Sequence, residues 1–315
     1  MKIAVDVMGT DYGPKELVLG AVNAVKEYGC ETVLVGDEKI IRELLVKYGA
    51  DKNPKITIHH ASEVIAMDEH PAIAVKSKKD ASIVVAAGLL RNKECDALVS
   101  SGSTGAAVAS ALFCVGRIRG VERPAIATPI PSLKGTTVVL DSGAKVDAKP
   151  EHMVQSAIMG TVYAEKILKI SQPKVGLLNI GEEETKGNEQ ALATYPLLKD
   201  TRTINFIGNV VLKFGEGLAK AIMTLIKEAI MNGGILAKLG GLLIKPALKG
   251  LKKRLDPAEY GGALLLGIRA PFIICHGSSK AKAITNAIHV AMDFAEQDVV
   301  SIIKDKIAES KEMRN

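Results

Sequence analysis

The sequence predicts an α/β protein with a mostly parallel sheet covered by helices on both faces. Three observations carry this. The first half of the 315-residue chain alternates short apolar runs with amphipathic runs, the rhythm of βαβ units. Hydrophobic residues make up 47% of the chain, enough to bury one large core. Turn-forming residues punctuate the runs, as Pro14 and Gly29 do at the two ends of the first helical stretch.

KIAVDVMG opens the chain as a strand, and PKELVLGAVNAVKEYG follows as a helix. ETVLVGD is a strand, EKIIRELLVKYG an amphipathic helix and KITIHHA a third strand. A polar loop leads to the helix ASIVVAAGLLRNKE, the strand CDALVSS and the helix AAVASALFCVGRI. TTVVLDSG is a strand, EHMVQSAIMGTVYAEKIL a long helix and KVGLLNIG another strand. This pattern places these strands in one mostly parallel sheet. The last third differs. VVLKFGEGLAKAIMTLIKEAIM is a long helical pattern, and LAKLGGLLIKPALKGLKKRLD follows, rich in Leu and Lys. A strand-like PFIICHG and one final helix, KAKAITNAIHVAMDFAEQDVVSIIKDKIAES, come last. With no fixed-period repeat or long linker, residues 1–315 read as a single domain with a helical segment at about 210–256.

Composition narrows the function. A net charge of +6 suits a nucleic acid, an anionic membrane, a phosphorylated substrate or an acidic protein. Aromatics are only 3%, with no Trp, so stacking platforms for nucleic acid are excluded as an expectation. No uncharged apolar run reaches the roughly 18–20 residues of a spanning helix. The nearest, YGGALLLGIRAPFIICHG, is broken by Arg269 and Pro271. No signal peptide is apparent, so a cytoplasmic location is expected. Cys30, Cys95, Cys114 and Cys275 are scattered without a CxxC pair and read as reduced core thiols. No metal site is expected, and His59-His60 lacks a partner at ligand spacing.

In parallel sheets, ligands bind beyond the carboxyl ends of strands. Five predicted strands are followed by loops of glycine with hydroxyl, acidic or basic residues: MGTDYGP, SSGSTGA, DSGAKVDAKPEH, GEEETKGNE and HGSSKAK. Together they read as a constructed site. In SSGSTGA, Gly102 and Gly105 let backbone approach a ligand, and the amides of Ser103, Thr104 and Gly105 open the next helix. Free N–H groups and the helix dipole favour an anion there. HGSSKAKA looks like a second cradle, with donors from His276 and Lys280. The bland alternative is that Ser103 or Ser279 only caps a helix. The run Glu182-Glu183-Glu184 reads as a cap or backbone partner rather than a Mg²⁺ site. Lys186 is either paired with those carboxylates or the counter-charge of a phosphate. There is no GxGxxG after the first strand, no Walker loop and no GxSxG elbow.

These loops resemble the bacterial PlsX family, the phosphate acyltransferases that start phospholipid synthesis. Matching segments run in order over nearly the whole chain: IAVDVMGTDYGPKELVLGA, ASEVIAMDEHPA, VKSKKDASIVV, SSGSTGA, ATPIP, LDSGAKVDAKPEHMVQSAIMG, KVGLLNIGEEETKGNE, GNVVLKFGEGLAK and YGGALLLG with HGSSKAKA. The resemblance implies a three-layer, Rossmann-like fold of the isocitrate and isopropylmalate dehydrogenase type, with long C-terminal helices. It implies a homodimer that moves a fatty acyl group from acyl carrier protein to inorganic phosphate, without a cofactor. Phosphate is its own nucleophile, so no Ser or Cys triad is needed. Catalytic roles are expected for Lys186, His276, Asn179 and Asp141. Asp6, Gly9, Ser101, Gly102, Ser103, Thr104, Gly105, Gly277, Ser278 and Ser279 are expected to bind phosphate or substrate. Other readings are an isopropylmalate-type dehydrogenase and a non-catalytic acyl- or phosphate-binding relative.

The chain departs from the family at Ser103 and Lys145, where Asn is usual. INFIGNVVLKF also fuses two segments that the family keeps apart. Near the end, Leu239, Leu243, Ala247 and Leu251 recur at helical spacing, and Lys245, Lys249, Lys252, Lys253 and Arg254 crowd beside them. Pro246 should divide that helix. An apolar face beside a basic one suits peripheral contact with an anionic membrane, the acyl carrier protein, or packing between dimer helices. The downstream glycerol-3-phosphate acyltransferase is a further expected partner.

Overall fold

A computed structural model describes residues 1–132, 135–141, 148–211, 232–234, 240 and 261–312. The expected contact residues Leu243, Lys245, Lys249, Leu251, Lys252, Lys253 and Arg254 lie outside the described residues, as does Lys145.

In chain order the elements are β1 (Lys2–Asp6), α1 (Lys15–Tyr28), β2 (Glu31–Gly36), α2 (Glu38–Lys47), β3 (Ile56–His60), α3 (Pro71–Ser77), α4 (Ser82–Arg91), β4 (Ala97–Ser100) and α5 (Thr104–Ser110). Helix α5 runs straight into a π-helical turn, Ala111–Val115. Then come β5 (Ala125–Ser132), β6 (Gly135–Leu140), α6 (Pro150–Lys166), β7 (Lys174–Asn179), α7 (Glu189–Lys199) and β8 (Asn205–Val211). After the undescribed stretch follow β9 (Ala263–Leu266), β10 (Phe272–Ile274), α8 (Ala281–Glu296) and α9 (Val299–Glu312).

The main sheet runs β3-β2-β1-β4-β10-β9-β5-β6. The first five of these strands are parallel. From β1 the chain winds outward through β2 to β3, then returns to the other side of β1 with β4. That reversal is where an open α/β sheet leaves a crevice. Successive side chains alternate between two cores, as a pleated strand buried on both faces requires. Ile3 and Val5 enter the core beneath α1 and α8, whereas Ala4 enters the one beneath α4 and α5. Val99 against Leu98, and Ile273 against Phe272 and Ile274, divide in the same way. The result is three layers.

Four expectations are corrected. TTVVL is a strand, but β6 is the return arm of a hairpin with β5 and runs antiparallel to it. KVGLLN is also a strand, yet among the described residues β7 pairs with β8 in a two-stranded sheet apart from the main one. Residues 210–211, read as the start of a helix, end β8 and pair with Leu178 and Asn179; β-branched valines suit that edge. The final helix is two, because Asp298 takes a left-handed φ of 46° between α8 and α9. The ATPIP segment lies in β5, which meets β9 only over residues 125–127. Pro129 and Pro131 therefore sit where one side of β5 has no β9 partner to receive an N–H.

Helices α1 and α8 approach closely at Gly20. A Cβ there would lie 2.6 Å from Cβ of Ile284 and 2.8 Å from the Ala281 carbonyl. Thr285 Oγ1 donates to the Gly20 carbonyl at 3.0 Å, across the same contact. Gly20→Ala should therefore destabilise the fold by about 1–2 kcal/mol, overpacking outweighing the gain in helix propensity. Urea unfolding checks this; an unmoved midpoint would mean that the helices separate freely.

Candidate active site

Three neighbouring parallel strands, β1, β4 and β10, stop at one level, with Asp6 opposite Ser100 and Ser100 opposite Ile274. The loops that follow are therefore delivered to one place. Ser100 Oγ donates to Asp6 Oδ2 at 2.7 Å, and the Met8 N–H donates to Asp6 Oδ1 at 3.3 Å. The Cys275 N–H donates to the Ser100 carbonyl at 2.8 Å. One layer further out, Ser101 Oγ donates to the His276 carbonyl at 2.5 Å, and the Asp11 N–H to the Gly277 carbonyl at 3.1 Å. Asp6 is only 2% exposed. Burial pushes its carboxyl above the ordinary value, although bonds from Ser82, Ser100 and the Met8 amide oppose the rise.

The SSGSTGA loop closes over this buried pair. Ser101, Gly102 and Ser103 are buried and Thr104 is exposed. Ser103 Oγ accepts the Ala106 N–H at 3.4 Å, so Ser103 does cap α5. Thr104 and Gly105 open the helix, where amide N–H groups have no intrahelical partner. Gly102 lies beside Gly9, whose φ is +73°. The missing side chain of Gly105 has a packing task. A Cβ there would stand 2.5 Å from Cγ of Pro71, so its missing side chain admits α3 against α5. Beneath the loops is a cavity of about 10 Å³, bordered by Asp6, Ser82, Ser100 and Ser103. That is room for about one water, so a phosphate would lie above it, on the open side.

The β10 loop is held from within. The Ser278 N–H donates to His276 Nδ1 at 3.1 Å, and Ser278 Oγ lies 2.7 Å from the same nitrogen. A backbone N–H can only donate, so Nδ1 accepts and the proton of the neutral ring sits on Nε2. The exposed His276 therefore offers an Nε2–H donor outward. The Ser279 N–H bonds the His276 carbonyl at 2.9 Å, which tightens the turn. Ser279 does not cap α8; Lys280 stands at the cap position without a side-chain bond. Instead Glu16 Oε2 accepts the Ala281 N–H at 3.0 Å, so an anion already sits at that helix start. The second cradle is thus narrower than HGSSKAKA suggests. A Cβ at Gly277 would stand 2.9 Å from Asp11 Oδ1, another close approach. Glu16 and Asp11 are the residues that sequence reasoning missed.

Asn179 and Lys186 form a second group, on the β7–β8 sheet. Asn179 Nδ2 donates to the Lys186 carbonyl at 2.8 Å, and its Oδ1 accepts the Ile180 N–H at 2.8 Å, which pins the 181–187 loop. Glu184 accepts from Lys199 and from the Tyr195 hydroxyl, each at 3.0 Å, and the Lys199 bond leads in holding its carboxyl below the ordinary value. The acidic run thus serves as an anchor on α7. Lys186 has no carboxylate partner among the described residues. Asp141 is brought to neither group. Strand β6 runs opposite to β10, so its end leads away from the shared edge, and Asp141 takes a φ of 59° there.

Burial pushes the Cys275 thiol up to about 12 and the Cys95 thiol up to about 11, which removes both as nucleophiles at neutral pH. Among the described residues no cluster of His, Cys, Asp and Glu could hold a metal, and no helix is long and apolar enough to cross a membrane.

A family model described as "Fatty acid synthesis protein" matches residues 1–210 and 202–302. The chain belongs to this family. Residues 202–210 match it twice, as the fused INFIGNVVLKF segment implies. The phosphate acyltransferase of Pelotomaculum thermopropionicum is 51% identical over 328 residues, covering 98% of this chain and 95% of its own. That of Heliobacterium modesticaldum is 49% identical over 328 residues, covering 98% of each. Both alignments are longer than this 315-residue chain, so these relatives carry residues that it lacks. Among solved structures, a phosphotransacetylase from Streptococcus pyogenes superposes with a TM-score of 0.63 at 17% identity, over 94% of each chain. The EutD phosphotransacetylase from Staphylococcus aureus gives 0.59 at 16%, again over 94% of each. At those identities the likeness is one of fold.

Asp6 yields a prediction with a definite sign. Its folded-state value lies above the ordinary 3.8, so the protonated carboxyl favours the fold. That contribution is full below the unfolded value and is lost as pH rises through the folded one. Asp6→Asn cannot ionise and should gain stability relative to the parent as pH rises from about 4 to 7. Melting curves across that range check this; two curves that stay parallel would sink it. Glu16→Ala should cost about 1 kcal/mol by uncapping α8, measured by urea unfolding.

Proposed function

We propose that this protein transfers a fatty acyl group from acyl carrier protein to inorganic phosphate, giving an acyl phosphate for phospholipid synthesis. The observation that supports it most is the meeting of three strand-end loops at one edge of the sheet, in a chain whose relatives are phosphate acyltransferases. In this reading a phosphate oxygen attacks the thioester carbonyl, a C–O bond forms, the C–S bond breaks and the thiolate leaves on the carrier. The 101–105 loop holds phosphate through the open N–H groups at the start of α5. His276 presents Nε2–H to the oxyanion that develops on the carbonyl, and Lys280 adds charge beside it. Asp6 acts through Ser100 and the Met8 amide, positioning both loops. Asn179 and Lys186 supply a second pole, with Lys186, which has no carboxylate partner among the described residues, as the cation for phosphate. No enzyme nucleophile is needed, because the work is positioning and electrostatics.

The same reading takes the protein as a cytoplasmic homodimer in peripheral contact with an anionic membrane and the next acyltransferase. The basic and apolar pattern at 239–254 supports it. The segment missing beside Gly208 favours one other reading, a phosphate-binding relative without turnover.

Trapping acyl phosphate with hydroxylamine, from acylated carrier protein and phosphate, tests the proposal. His276→Ala should lower kcat by about 10²–10³, the scale of one lost oxyanion donor. Unchanged turnover in both His276→Ala and Lys186→Ala would overturn the residue roles. Phosphate-dependent thermal stabilisation without product would select the binding protein instead.

A further inference from the structure

We propose that the exposed face made by α3 and the π-helical turn is the docking surface for the acidic protein that delivers the acyl thioester. This rests on the acyl-transfer reading above and adds where the donor sits. Helix α5 leads from the 101–105 loop directly into the π turn, a rare conformation that recurs at functional sites. The turn carries Phe113, which is 53% exposed, and α3 beside it carries Ile73, 65% exposed. The Lys76 ammonium stands 5.1 Å from the centre of the Phe113 ring. Lys79 and Arg91 lie close by: burial raises the neighbouring Cys114 thiol, and the charges of these two residues oppose the rise.

Charge pairing leaves this face basic. Lys78, in the same basic run, is neutralised by Glu69 at 2.7 Å. Lys76, Lys79 and Arg91 have no carboxylate partner among the described residues. Three uncompensated cations around an aromatic and an aliphatic side chain make an interface centre with a basic rim. The face is also continuous with the candidate site. Pro71, the first residue of α3, packs on Gly105 at the start of α5. Phe113 lies eight residues further along, about 12 Å by helical rise. A carrier seated there would have its acyl arm beside the cradle.

The occupant is an acidic protein, because like-charged copies of this face would repel in a symmetric contact. A membrane would need a broader apolar stripe than two side chains.

The test uses the full chain with Lys76→Glu, Lys79→Glu and Arg91→Glu, singly and combined, and separately Phe113→Ser. Donors are acylated carrier protein and the same acyl group on pantetheine. The combined variant should raise KM for the carrier by at least about tenfold, keep kcat within about twofold and flatten the salt dependence of kcat/KM. Phe113→Ser should raise the same KM without changing the salt dependence. Kinetics with the pantetheine thioester should stay as in the parent. An unchanged carrier KM, or equal losses with both donors, would overturn the proposal. So would variants that lose only binding to vesicles of anionic lipid, or only their oligomeric state. Direct titration of the carrier by fluorescence anisotropy separates this idea from the reading beneath it. Binding that the combined variant loses, in a parent that makes no acyl phosphate, would retain the docking face and end the transferase reading.

Discussion

The hydrogen bond from Ser100 to Asp6 is the contact on which the rest of the site depends. It lies where three parallel strands end together, away from water, where such a bond is strong and its loss costly. Asp6 also takes the Met8 amide, and the Ser100 carbonyl takes the Cys275 amide. One buried pair thereby fixes how the chain leaves β1, β4 and β10. A carboxyl in that place is expensive, since burial disfavours its charged form. A hydrophobic residue would pack there more cheaply, but it could not set the direction of Met8 and Ser100. The polar pair thus trades stability for a defined geometry, the pattern expected at functional sites.

From that pair the electrostatic logic runs outward. Hydroxyl and amide groups that face inward are consumed in holding the loops together: Ser101 on His276, Ser103 on α5, Ser278 on the imidazole. What is left facing outward is a short set of donors: the first amides of α5, Nε2–H of His276, and the exposed side chains of Thr104 and Lys280. That division explains why so many hydroxyl residues crowd the loops. Most of them build the cradle, and few are available to touch a ligand.

Much of this was legible in the sequence because it is local. Strand-to-helix alternation, the apolar runs and the loops after KIAVDV, CDALV and PFIIC all follow from residues within a few positions of one another. What escaped depends on distant partners. A lone TTVVL reads alike in either direction; pairing with β5 decides it, and with it the fate of Asp141. Gly105 looks the same whether it admits a ligand or Pro71, which is far off in sequence. Glu16 gave no sign of capping α8, which begins 265 residues later. Pro71 opens a helix inside what reads as a polar loop, because a short helix has too few turns to show periodicity.

The fused strand divides the two groups of candidate residues. Among the described residues strand β8 pairs only with β7, through a register shift between Val175 and Leu177, and Gly208 takes a φ of 99° along it. Leu178, Ile180, Ile207 and Val210 are left exposed. Two strands seldom stand alone in water, and β7 and β8 lean on α6 and α7. Asn209 Nδ2 donates to the Glu183 carbonyl at 2.8 Å, so β8 itself holds the loop that carries Lys186. Any change at the fusion is therefore felt at Lys186 and Asn179. The loops that carry Asp6, Ser100 and His276 follow strands of another sheet, whose register is independent of β8. The fusion thus bears on the group of Asn179 and Lys186 and leaves the loops around Asp6 and Ser100 untouched.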